Sequence, residues 1–247
     1  MAMHTGTEGA DRGDFETRLW LDGYRDNNEV EGWVDNGIFG LLHLINEALD
    51  ARHVPGGAFE IGVHHGKFFI ALNAMVDAKY KSVALDLFDN QELNIDFSGR
   101  GSQTHFVENL KKFDRHKGSN VIIASQDSIS VDPTSLLALS KVPFKVISVD
   151  GGHTAEHTIS DILLADSVVH PQGFVLVDDI LNSHWMGVID GVTNYLQTRP
   201  RLWPLAVGYN KLIMCRMSMQ PAYKSFFQQR FAFTKSTSFC GYEVLAV

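Results

Sequence analysis

Basic residues are scarce: 21 Lys and Arg stand against 29 Asp and Glu, a net charge of −8. A protein that wraps nucleic acid needs a clustered basic face to meet phosphates. The nearest approach is Lys111, Lys112, Arg115 and Lys117, an ordinary solvated helix end. Cysteine is scarcer still. Cys215 and Cys240 are too few for a disulfide framework and read as two reduced thiols in apolar surroundings. No apolar run reaches the roughly 18 residues that a membrane span requires. The opening MAMHTGTEGADRGDFE is polar and acidic, without the apolar centre of a secretory signal. Repeats and low-complexity segments are absent too. Together these absences predict a cytoplasmic protein with no nucleic-acid or membrane partner, and a disordered segment over residues 1–13.

What the chain does have is apolar residues, 45% of 247, enough for one α/β domain. Residues 14–53 read as a helical cap, in which Trp33, Ile38, Leu41, Leu42, Ile45 and Leu49 recur at helical spacing until VPGG at 54–57 stops the pattern. Short apolar runs then alternate with amphipathic stretches: AFEIG, SVALDLF, NVIIAS, FKVISVD and GFVLVDD are the expected strands. Strands that are apolar on both faces and separated by helices predict a doubly wound, mostly parallel sheet. RLWPLAVGYNKLIMCRM adds two strands joined at Gly208, Tyr209 and Asn210, an antiparallel hairpin that brings the sheet to seven. The core is expected over 54–217 and an extension over 218–247, whose aromatic KSFFQQRFAF is a candidate interface between copies.

In such sheets ligands bind beyond the carboxyl ends of the strands, and the chain places its acids there. FEIGVHHGKFF carries Glu60, Gly62 and Gly66 between a strand and a helix, where glycines let the backbone approach a ligand closely. Its spacing, E-x-G-x-x-x-G, differs from the dinucleotide fingerprint G-x-G-x-x-G. Asp86 ends the second strand, 20 residues past Gly66, where a carboxylate can accept both hydroxyls of a ribose; Asp89 competes for that role. In SQDS, Asp127 is placed to accept from an adenine amino group, with Ser128 beside it. Each feature alone also fits a plain turn or a solvated loop acid.

Asp150, Asp178 and Asp179 end two strands expected to be neighbours. Three carboxylates on one rim repel one another unless a cation sits between them, and a hard divalent ion such as Mg²⁺ answers that need. His153, three residues past Asp150, is a candidate base for a hydroxyl proton. His157 is expected on a helix face, His184 is a weaker candidate for the pocket wall, and Trp20, Tyr24 and Trp33 are candidates for a lid, with plain packing preferred for Trp33.

Taken in order, EIGVHHG, LDLF, SQDS, VDGGH and VDD resemble the class I S-adenosylmethionine-dependent methyltransferases over roughly residues 31–217. Among these the pattern is similar to small-molecule and sugar O-methyltransferases of the macrocin and mycinamicin type. The resemblance implies a Rossmann-like methyltransferase fold with S-adenosylmethionine and a divalent metal. Glu60, Gly62 and Gly66 would surround the methionine part, Asp86 the ribose, and Asp127 with Ser128 the adenine. The spacing of 28 from Asp150 to Asp178 also resembles the metal site of catechol and caffeoyl-type enzymes. Those usually have Asn where this chain has Asp179, and Lys where it has His153. His64 and His65 depart from the small or hydroxyl residues expected in the glycine loop. The expected function is metal-assisted methylation of a hydroxyl on a small molecule or sugar. The rivals are a silent nucleoside-binding relative and a nicotinamide oxidoreductase, which lacks its glycine spacing and a Tyr-x-x-x-Lys pair here.

Overall fold

A computed structural model describes residues 8–233 and 235–247, with side chains from residue 14 onward. Helix α1 (Glu8–Asn27) begins within the segment expected to be unstructured, and residues 1–7 of that segment lie outside the described residues. Helix α2 (Ile38–Asp50) follows the apolar spacing seen in the sequence and buries Ile38, Leu41, Leu42, Ile45 and Leu49.

The alternation then runs as β1 (Ala58–Ile61), α3 (Lys67–Ala74), β2 (Ser82–Asp86), α4 (Gln103–Phe113), β3 (Val121–Ser125), α5 (Pro133–Ser140), β4 (Phe144–Val149), α6 (Ala155–Val168), β5 (Val169–Val177) and α7 (Met186–Leu196). The chain closes with β6 (Leu202–Gly208), β7 (Lys211–Arg216), α8 (Gln220–Arg230), β8 (Lys235–Phe239) and β9 (Tyr242–Ala246). Caps mark several starts. Asp132 accepts from Ser135 N–H ahead of Pro133 in α5, and Thr154 accepts from His157 N–H at the start of α6.

The sheet order is β3-β2-β1-β4-β5-β7-β6-β9-β8. Pairs among β1 to β5 are parallel, and β7 joins antiparallel to β5 and β6. The fold is the expected mixed, mostly parallel α/β sheet, carried to nine strands because β9 pairs with β6 and brings β8 beside it. Every residue of β1 and β4 is buried. Neighbours along β4 serve opposite faces: Val146 joins the cluster with α2, α3 and α8, and Ile147 joins the one with α6 and α7. Tyr223 and Phe227 of the aromatic C-terminal segment are fully buried in the first of these clusters. No helix among the described residues is long and apolar enough to cross a membrane.

The strand order reverses between β1 and β4, so the carboxyl ends of these strands open onto a crevice. That crevice holds the candidate site.

Candidate active site

A cavity of about 770 Å³ lies beyond the ends of β1, β2, β4 and β5, with residues 31–35 and the loop after β2 at its mouth. Glu60, Gly62, Asp86, Asp127, Ser128 and Asp150 all reach it, as do His153, Asp178 and Asp179. Gly66 stands just behind the wall as the N-cap of α3.

The loop after β1 needs its glycines. Gly62 has φ +82°, and a Cβ there would meet the Asp150 carbonyl oxygen at 1.7 Å. Gly66 has φ +89°, and a Cβ there would press on the Phe106 ring at 2.6 Å. Asp86 ties this loop down: its Oδ2 accepts the His64 N–H at 2.7 Å, and its Oδ1 accepts the Phe88 N–H at 2.6 Å. Each carboxylate oxygen keeps a second lone pair for a ligand hydroxyl. Its rival Asp89 is exposed and stands off the cavity. Asp127 accepts from Ile129 N–H at 3.1 Å, so its SQDS loop is preformed. Of the two loop histidines, His64 is half-buried at the cavity wall near Trp33, and His65 is buried, 3.2 Å from Glu31.

Glu60 is a buried carboxylate at the cavity wall, and neither oxygen has a hydrogen-bond partner. Burial pushes its pKa up to about 8, against the pull of Lys211. Lys211 is the cation that the sequence did not reveal as part of the site. It enters from the start of β7, fully sheathed, with Nζ paired to Asp178 and 4.2 Å from the Phe68 ring centre. Burial would lower its pKa, but Asp178, Asp150 and Glu60 outweigh burial and raise it. Asp178, expected among metal ligands, is thus placed as the partner of a lysine.

The three residues that do converge are Asp150, His153 and Asp179, each offering a ligand atom within 4.8 Å of the other two. Asp150 carries a raised pKa, from burial first and the neighbouring Asp178 next. Asp179 adopts φ +59°, rare for a side-chain-bearing residue, and is clamped there. Asn182 and Asn210 both donate to its Oδ1, at 2.8 and 2.7 Å. Its Oδ2 lies 2.9 Å from His153 Nε2.

On the other side of the imidazole stands Asp96, another residue not expected from sequence. Its Oδ2 accepts the His153 backbone N–H and also faces Nδ1, both at 2.8 Å. Burial would raise the Asp96 pKa, yet hydrogen bonds from Ser98 and His153 hold it at about 2. The imidazole, between two carboxylates and stacked on Trp185 at 4.2 Å, has a raised pKa although burial opposes it. His157 also reaches the cavity, with Nδ1 2.9 Å from Thr154 Oγ1, whereas His184 is exposed and off the wall. Trp33 lies at the mouth, 77% exposed, while Tyr24 is buried and Trp20 stacks on it. Asp96, Trp185 and Asn210 sit on loops or a turn and Lys211 opens β7; the sequence signal near the last two was the Gly208–Asn210 hairpin.

A parallel sheet with a glycine loop after β1, an acid after β2 and acids after β4 and β5 defines a nucleoside-binding α/β fold. A family model described as a methyltransferase domain matches residues 59–180, just under half of the chain. Among solved structures it resembles the O-methyltransferase NovP at 14% identity and a TM-score of 0.61, covering 84% of this chain and 99% of that one. TomG from Streptomyces achromogenes, an O-methyltransferase of tomaymycin synthesis solved with SAM, matches at 15% identity and 0.54, covering 86% and 91%. CalS11, a TDP-rhamnose 3'-O-methyltransferase of calicheamicin biosynthesis, matches at 17% and 0.50, covering 87% and 97%. At these identities the likeness is one of fold. No curated protein matches the chain by sequence.

Proposed function

We propose that this protein transfers the sulfonium methyl of S-adenosylmethionine to a hydroxyl of a small molecule or sugar, with a divalent cation at the acid rim. The observation that carries the reading is the convergence of Asp150, His153 and Asp179 in the same cavity as the glycine loop and Asp86. The solved structures of similar fold named above, all described as O-methyltransferases, support it.

The residues fit both groups. Glu60 offers an unpartnered buried carboxylate of the kind a cationic amino-acid end would satisfy. Gly62 leaves a space at the Asp150 carbonyl that any side chain would fill. Asp86 would take the ribose, and Asp127 with Ser128 the adenine. Asp150 and Asp179 supply the hard oxygen donors that a divalent cation takes. A cation held there would orient the acceptor hydroxyl and lower its pKa.

His153 is assigned the proton. Nδ1 faces ionised Asp96, so the proton would pass through Nε2, which lies 2.9 Å from Asp179 Oδ2. Asp96 fixes tautomer and ring orientation, and Trp185 holds the ring plane. Since the sulfonium is already reactive, most of the rate would come from positioning.

The test is Asp150→Ala. S-adenosylhomocysteine affinity, read by calorimetry, should stay within about two-fold, while release of that product across hydroxylated acceptors falls by roughly 100-fold or more. Unchanged turnover of wild-type protein after chelation would remove the cation from the reading.

A further inference from the structure

The cavity is strongly one-signed. Nine carboxylates line it, and Lys67 and Lys211 are the only Lys or Arg among its described lining residues. Both lysines are committed: Lys67 Nζ donates to the Gly32 carbonyl at 3.1 Å, and Lys211 is paired with Asp178. With a divalent cation and the sulfonium in place, nine carboxylates against two lysines still leave the lining net negative. A phosphate or a free carboxylate entering here meets like charge with no free cationic side chain to receive it.

The same mouth is rich in apolar surface. Trp33 is 77% exposed at the rim, with Ile95 at 52% and Leu93 at 47% from the loop after β2. Deeper in, Trp185 lies face to face with His153, beside the group assigned the proton. Indole faces exposed at the rim of a concave site favour a flat apolar body, and their negative π-faces also favour a cation.

We infer that the acceptor is a neutral or cationic hydroxy compound with a flat apolar face, carrying no phosphate or carboxylate near the hydroxyl that reacts. This rests on the methyl-transfer reading above. It separates this chain's acceptor from nucleotide-linked sugars, whose diphosphate demands the free cations that this cavity does not offer.

The experiment titrates protein saturated with S-adenosylhomocysteine and Mg²⁺ against four probes: catechol (neutral), dopamine (cationic), homoprotocatechuate (anionic) and dTDP-rhamnose. Catechol and dopamine should each bind about ten-fold or more tightly than homoprotocatechuate, and dTDP-rhamnose should give no saturable heat. Equal or tighter binding of either anion overturns the inference, as does failure of the neutral and cationic probes to bind. Failure of S-adenosylhomocysteine itself to bind sinks the methyl-transfer reading instead, so the two failures are distinct. A second arm reverses charge at the mouth with Glu31→Lys and Asp35→Lys, both exposed. The dopamine-to-homoprotocatechuate affinity ratio should then shrink by about five-fold, less so at high salt. An unchanged ratio in that variant also overturns the proposal.

Discussion

Single residues show where sequence reading reaches and where it stops. Asp161 on α6 was legible only as a polar position on an amphipathic helix, yet it is buried and neither carboxylate oxygen has a partner. It leans on the Gly151 backbone, where a Cβ would meet its Oδ2 at 2.5 Å, which explains a glycine directly after Asp150. Burial, first among its influences, pushes its pKa up to about 7, with Asp127 adding to the rise and Ser128 opposing it. An unfolded Asp releases its proton near pH 4, so between about pH 4 and pH 7 the folded chain binds the extra proton. Stability therefore falls as pH rises through that window, by up to roughly 1.4 kcal/mol per pH unit, and is level above it. Asp161→Asn removes the titration. Thermal melts of the two proteins should show the variant gaining on wild type between pH 5 and pH 8, and parallel pH profiles would contradict the assignment.

At the scale of elements, the β6–β7 hairpin was legible as a turn but not as a part of the site. Gly208, Tyr209 and Asn210 announce a tight connection in any sequence; which strand end that turn will touch is a tertiary fact. Because β7 lies beside β5, the turn reaches the segment just past Asp178. There the Asn210 carbonyl accepts from Ile180 N–H at 3.1 Å, its Oδ1 accepts from Leu181 N–H at 3.0 Å, and its Nδ2 donates to Asp179. The same turn sends Lys211 inward to Asp178. The acid pair after β5 was readable as chemistry, but the partition between its members comes from this hairpin: one acid to a lysine, the other to His153. Asn210 has φ +64°, which glycine also adopts, so Asn210→Gly keeps the turn and the main-chain bond while removing both side-chain bonds. Turnover should drop by about 10- to 100-fold and apparent divalent-cation affinity should weaken, with S-adenosylhomocysteine affinity retained. Wild-type kinetics in that variant would show that Asp179 does not depend on the clamp.

For the whole molecule, the alternation of apolar strands and amphipathic helices carried most of the architecture, because burial on both faces leaves a parallel strand few polar positions. The edge was less legible. β8 is mostly exposed and poor in apolar residues, so its sequence KSTSF carries little strand signal; pairing with β9 supplies what its own residues do not. The cavity, by contrast, depends on the whole sheet, since its walls come from the ends of β1 to β5, the β6–β7 turn and loops far apart in sequence. A ligand that bridges those walls binds only the folded chain and must stabilise it globally. S-adenosylhomocysteine at about 100 times its dissociation constant should add about 2.7 kcal/mol. For a domain of this size that corresponds to a rise of roughly 5–10 °C in melting temperature. The rise should grow with the logarithm of ligand concentration, and NADH at the same concentrations should leave the melt unchanged. If Asp86→Ala abolishes the shift while its unliganded melt stays within a few degrees of wild type, the ribose acid contributes to binding in its own right. If the shift survives that substitution undiminished, the glycine loop and the adenine wall hold the nucleoside without it, and Asp86 serves mainly to anchor the backbone at His64 and Phe88.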